Sequence, residues 1–141
     1  MTIKQLSVFI ENREGRLAQI TKILAQNNID IRALSIAETT DYGILRLIVN
    51  DPDRAVEALR GAGITVSLTN VIGVAIDDRP GGFDAVIQTL AARSIDVQYL
   101  YAFVGRSENK AFVILRVEDN GAAINVLREG GIRVILQEDI F

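Results

Sequence analysis

Residues 47–66 read Leu-Ile-Val-Asn-Asp-Pro-Asp-Arg-Ala-Val-Glu-Ala-Leu-Arg-Gly-Ala-Gly-Ile-Thr-Val, and residues 115–134 answer with Leu-Arg-Val-Glu-Asp-Asn-Gly-Ala-Ala-Ile-Asn-Val-Leu-Arg-Glu-Gly-Gly-Ile-Arg-Val. Leu47, Val49, Asp51, Ala55, Leu59, Arg60, Gly63, Ile64 and Val66 recur as Leu115, Val117, Asp119, Ala123, Leu127, Arg128, Gly131, Ile132 and Val134, a shift of 68. Further towards the N-terminus the shift is 66, carrying Val8, Ile10, Gly15, Leu24, Ile29 and Asp30 onto Val74, Ile76, Gly81, Leu90, Ile95 and Asp96. The second copy therefore holds two extra residues in one loop. A period this long exceeds that of solenoid repeats and means two small domains in tandem.

Each copy has the same order of elements. Residues 4–11 alternate, with Leu6, Val8 and Ile10 on one face, as in a half-buried strand. Leu17, Ile20, Ile23 and Leu24 then recur at helical spacing, and Asn27-Asn28 stop the helix. Residues 30–39 and Ile44 to Val49 read as strands around the Asp41-Tyr42-Gly43 turn. Asp51-Pro52 starts a second helix, Gly61-Ala62-Gly63 ends it, and Ile64 to Leu68 is the fourth strand. The order βαββαβ predicts an α+β, ferredoxin-like antiparallel sheet with both helices on one face. The domains fall at 1–69 and 70–141, with Thr69-Asn70 as the whole junction. The long apolar second strands are sheet edges, and joining them would set the two sheets side by side. Phe9, Ile44, Ile48, Phe112 and Ile114 leave the face away from the helices apolar, which calls for cover by a second chain.

Composition narrows the chemistry. The chain has neither histidine nor cysteine, which removes thiolate nucleophiles, His-based triads and the usual zinc sites. Asp77-Asp78 and Glu138-Asp139 are adjacent pairs without metal-loop spacing and read as solvated charges, so neither a metal nor an enzyme is expected. A net charge of -3 with mixed signs argues against a nucleic-acid partner. Tyr99, Tyr101 and Phe103 alternate without a basic groove and read as an interface or pocket wall. No signal-peptide pattern opens the chain and no apolar run is long enough to span a membrane, which points to the cytoplasm.

The turn between first strand and first helix is the candidate site. It reads Glu11-Asn12-Arg13-Glu14-Gly15-Arg16-Leu17 in one copy and Asp77-Asp78-Arg79-Pro80-Gly81-Gly82-Phe83 in the other. Glycine there permits positive φ and close approach of a ligand, and the helix N-terminus suits a carboxylate. Asn12 or Asp78 would hold an adjacent ammonium group, the pair of charges an α-amino acid carries. The glycines also serve simply to turn the corner, and spacing does not separate the two roles. Asp78 beside the rigid Pro80 makes the second turn the stronger expected ammonium site.

The turns resemble the motif of the ACT domain, a small regulatory module that binds amino acids: Asp78, Pro80 and Gly81 match it in the second copy, Asn12, Gly15 and Leu17 in the first. Asn28-Ile29-Asp30-Ile31 and Ser94-Ile95-Asp96-Val97 resemble the family's helix-to-second-strand stretch, and Leu34 to Gly43 resembles a segment of free-standing tandem ACT proteins. The resemblance implies a non-catalytic, cofactor-free regulator. An amino acid would bind between one domain's turn and its neighbour's second strand, in a homodimer that acts on a partner enzyme or transporter. The alternative it leaves is an interaction module with vestigial sites.

Overall fold

A computed structural model describes residues 1–11, 14–38, 41–104 and 109–141. The elements are β1 (Ile3–Glu11), α1 (Arg16–Gln26), β2 (Ile31–Glu38), β3 (Tyr42–Val49), α2 (Pro52–Gly61), β4 (Val66–Asp77), α3 (Gly82–Ala91), β5 (Tyr99–Val104), β6 (Lys110–Arg116), α4 (Asn120–Glu129), β7 (Arg133–Ile135) and the short α5 (Gln137–Ile140). The chain forms two units, Lys4–Thr69 and Asn70–Phe141 with Met1–Ile3. In the first the strand order is β2-β3-β1-β4, and in the second it is β5-β6-β4-β7. Both are the antiparallel βαββαβ plait that the alternation of apolar residues and turn signals predicts.

Three expectations need correction. Thr69-Asn70 is not a linker but the middle of β4, which serves as fourth strand of one unit and first strand of the other. Nothing in this stretch breaks a strand, and both residues are anchored within their own units. The Ser7 and Thr69 hydroxyls lie 3.0 Å apart, and Arg116 and Asn120 donate to the Asn70 carbonyl at 3.0 and 3.2 Å. Second, the sheets are not joined through their second strands. Among the described residues β2 pairs with β3 and β5 with β6, each on one side only. Third, the apolar face opposite the helices needs less outside cover than its composition suggests. Ile48, Phe112 and Ile114 are 0, 5 and 0 % exposed within the single chain, while Phe9 stays 41 % exposed. In the second unit part of the cover is visible: Ile3 and Ile135 meet over Gly73, where an added Cβ would lie 2.6 Å from both. Tyr101 is buried, and Phe103 packs edge-on against Phe112 of its own unit with centroids 5.5 Å apart.

The other face carries the cores. In the first unit Leu6 and Val8 of β1 and Leu45, Leu47 and Val49 of β3 meet Ile20 and Leu24 of α1 and Leu59 of α2. In the second, Ile72, Val74, Val113 and Leu115 meet Val86, Leu90 and Leu127. Burying one such side chain contributes about 1.5–3 kcal/mol.

The helices start in two ways and stop in one. Asp51 and Asp119 cap α2 and α4, their carboxylates accepting from the Arg54 and Ala122 amides at 3.2 and 3.0 Å. At the far ends, Asn28, Gly63, Ser94 and Gly131 all have positive φ, between 56° and 78°. The amides of Ile29, Ile64, Ile95 and Ile132 then donate back to Leu24, Leu59, Leu90 and Leu127 across 2.9–3.0 Å. This is the Schellman closure, with an isoleucine turned into the core after each helix. The sequence repeat thus reappears as a repeat of backbone conformation.

Two substitutions test this reading. Ser94 takes a left-handed conformation that strains a residue with a Cβ, so Ser94→Gly should raise unfolding free energy by about 0.5–1 kcal/mol in urea titration. A loss would contradict the assignment. Gly82 has a different reason to be glycine: a Cβ there would meet the Asp77 carbonyl oxygen inside contact distance. Gly82→Ala should therefore cost about 1–3 kcal/mol, and an unchanged midpoint would show that the α3 start is loosely packed.

Candidate functional site

α1 and α3 each follow a short connection from their strands, residues 12–15 and 78–81, that ends on a left-handed glycine at the helix N-cap. Gly15 has φ 82° and Gly81 φ 86°, and neither helix receives a side-chain cap of the kind Asp51 and Asp119 supply. The carbonyls of Gly15 and Gly81 accept the first helical hydrogen bonds, from Gln19 and Ala85 at 3.0 and 3.1 Å. Among the described residues no atom would touch a Cβ at either glycine within 4 Å, and both take a left-handed conformation that favours glycine.

Each turn opens on a cleft inside its own unit. The first, of about 330 Å³, is lined by Gly15, Arg16, Leu17 and Ala18 from the start of α1, with Ile10 and Glu11 of β1, Ile36 and Glu38 of β2, and Tyr42 and Gly43 of β3. Antiparallel pairing assembles it, since Glu11 lies opposite Tyr42 and Glu38 opposite Gly43. Its lining is mixed: Arg16, Glu11 and Glu38 supply charge near the helix N-terminus, and Ile10, Leu17 and Ile36 supply apolar surface. The Arg16 guanidinium donates to Gln19 Oε1 at 2.8 Å, and the Tyr42 ring stacks on Phe9 at 5.0 Å.

The second cleft, of about 300 Å³, opens on the other side of its turn, towards β7. Arg79, Gly81, Gly82 and Val86 meet Asp77, Lys110 and Arg133 there. Cations outnumber carboxylates. Asp77 is paired with both Lys110 and Arg79, and the Lys110 ammonium beside it holds its carboxyl below the ordinary range, with Arg79 adding to the effect. The start of α3 also carries Asp84, whereas α1 has no acid in its first turn. A negative charge at a helix N-terminus satisfies the dipole that an anionic ligand would otherwise meet.

Of the residues expected at the sites, Gly15, Arg16 and Leu17 line the first cleft and Arg79, Gly81 and Gly82 the second, while Asn12 and Arg13 lie outside the described residues. Glu14, Pro80 and Phe83 belong to the turns but do not line the clefts. Asp78 does not line its cleft either; its backbone amide donates to the Asn109 carbonyl at 2.8 Å, and the acid that faces the space is Asp77. Within a unit, Asn28-Ile29-Asp30-Ile31 stand at the far end of α1 from Gly15, roughly 16 Å away by helix length. Asp30 there pairs with Arg32 at 3.0 Å, and its backbone amide donates to Asn50 Oδ1 at 2.9 Å. Ser94, Ile95 and Asp96 likewise border a separate cleft with Gln98, Glu118 and Asp119, while Val97 packs against the core. Glu38, Tyr42, Lys110 and Arg133 were not singled out from sequence. Reading β3 antiparallel to β1 would have brought Tyr42 beside Glu11.

Among the described residues no cluster of three or more acids could hold a metal, and no helix is long and apolar enough to cross a membrane. Glu138-Asp139 is a helix start: the Asp139 carboxylate accepts from the Leu136 amide at 2.7 Å.

Comparison with known proteins agrees with this geometry. A protein from Bacteroides thetaiotaomicron, solved by crystallography, is 39 % identical, with TM-score 0.93 over 99 % of this chain and 96 % of that one. The ligand-free regulatory subunit of aspartate kinase from Thermus thermophilus shares the fold at 19 % identity, TM-score 0.66, over 90 % of this chain and 91 % of that one. The corresponding subunit from Thermus flavus does so at 18 % identity and TM-score 0.62, over 91 % and 92 %. No curated protein matches the sequence. The family model described as an ACT domain pair matches residues 1–141, and the chain belongs to that family.

Proposed function

We propose that this protein is a non-catalytic regulator that binds an amino acid in the first cleft and passes the bound state to a partner enzyme or transporter, acting as a homodimer. The observation that carries the reading is the start of α1: a left-handed glycine, no capping side chain, no acid in the first turn, and Glu11 and Glu38 across the cleft. A ligand carboxylate would meet the first-turn amides of α1 and Arg16, and its ammonium the two acids. Ile10, Leu17 and Ile36 would then face the side chain of the ligand, which favours an apolar one. Family membership supports the regulatory role. The sequence motif favours the second turn for the ammonium, but the placement of charges favours the first, because Asp77 is already held by two cations and Asp84 occupies the α3 start. Ligand binding would act through differential affinity for two arrangements of the protein.

Calorimetric titration with the twenty amino acids tests this directly. At least one should bind, and Ala18→Asp should weaken it by about tenfold or more while leaving folding stability equal or higher, since an acid suits the helix start. Loss of binding together with unfolding would not count as support. No heat with any amino acid would remove the sensor reading and leave the interaction module in its place.

A further inference from the structure

The two copies fill one spot of the shared plait differently. In the first unit Phe9 of β1 stacks on Tyr42 of β3, and the Phe9 amide donates to the Thr65 carbonyl at 3.0 Å. The sequence repeat puts Ala75, Lys110 and Arg133 at these three positions of the second unit. The strand register agrees: Tyr42 lies opposite Glu11, Lys110 opposite Asp77, and Arg133 opposite Ala75. Where one unit has an aromatic pair, the other has a methyl group flanked by two cations.

Ala75 and Asp77 share one face of the sheet, and residues opposite each other share a face as well. Lys110 and Arg133 therefore stand on either side of β4 on that face, their backbones roughly 10 Å apart by strand spacing. Long side chains from both can close on one small ion between them. Ala75, Lys110 and Arg133 all line the second cleft, and so does Arg79 from the turn.

The acids nearby do not balance these cations. Asp77 is shared by Lys110 and Arg79, so one negative charge serves two positive ones. Arg133 reaches Asp139 only at 3.7 Å, and that carboxylate already accepts from the Leu136 amide at 2.7 Å. Asp84 accepts from the Gln88 side chain at 3.2 Å and does not line the cleft. Three cations less one carboxylate leave the lining with a surplus of two positive charges, in a chain whose net charge is -3.

We propose that the second cleft binds a small phosphate-bearing dianion, held over Ala75 between Lys110 and Arg133 with Arg79 beside them. Two negative charges match the surplus, and guanidinium and ammonium groups both suit phosphate oxygens. The site is independent of what the first cleft binds, so each reading can fail alone.

Calorimetric titration above about pH 7, where a phosphomonoester is a dianion, tests the proposal with methyl phosphate and inorganic phosphate. Succinate at the same ionic strength supplies a dianion of different shape. Both phosphates should bind the parent more tightly than succinate does. Tighter binding of methyl phosphate would mark a phosphorylated small molecule as the source, tighter binding of inorganic phosphate the free ion, and either supports the site. Arg133→Gln and Lys110→Gln should each weaken methyl phosphate about tenfold, while Arg93→Gln, an exposed cation outside the cleft, should change it less than about twofold. Ala75→Phe keeps every charge and installs the residue the first unit carries as Phe9, so it should remove binding while the thermal midpoint holds. If that variant unfolds, the glutamine variants still decide. No affinity of the parent for either phosphate, succinate bound as tightly, or Arg93→Gln as damaging as Arg133→Gln would overturn the proposal. A folded Ala75→Phe that binds unchanged would overturn it too.

Discussion

Gly15 and Gly81 carry the constraint on which the rest depends. Each stands at the N-cap of its helix in a left-handed conformation, at φ 82° and 86°. The starts of α2 and α4 differ in placing a capping acid, Asp51 or Asp119, where α1 and α3 have the glycine. Two helices thus start on a capping carboxylate and two on a glycine that offers no side-chain cap. In both units the glycine start is where strand and helix meet at a cleft.

From this shared backbone the two copies diverge through a handful of charges. The first keeps α1 clear of acids and sets Glu11 and Glu38 across from Arg16. The second adds Asp84 to the helix start and locks Asp77 between Lys110 and Arg79. In the second copy the cleft acid is thus held in ion pairs, while the first keeps an acid-free helix start. A duplicated module of this kind can keep one copy for sensing and the other for structure, since each has a separate core of ordinary size for its length.

Much of this was legible in the residues because it is local. Alternation in residues 4–11, the helical spacing of Leu17, Ile20 and Leu24, the Asp51-Pro52 start and the glycine stops are short-range signals, and the repeat doubled each of them. Pairing was harder to read. That β4 passes unbroken through Thr69-Asn70, or that Ile48 is fully buried in its own chain, depends on which surfaces meet, and an apolar residue looks the same from sequence whichever neighbour covers it. The site shows the same division. The glycine corners announce themselves, but whether Asp77 or Asp78 faces the cleft depends on where the strand ends, and β4 runs on through Asp77. Glu38 and Tyr42 come from strands far along the chain, and only the register of β1, β2 and β3 brings them to Gly15.

The most direct measurement of the central claim is a backbone amide map. With ¹⁵N-labelled protein and a bound amino acid, the largest chemical-shift changes should fall on Leu17 and Ala18 at the start of α1, with Glu11, Glu38 and Tyr42 around them. Largest changes at Ser94–Gln98 or at Gly81–Gly82, with the start of α1 unmoved, would contradict the account.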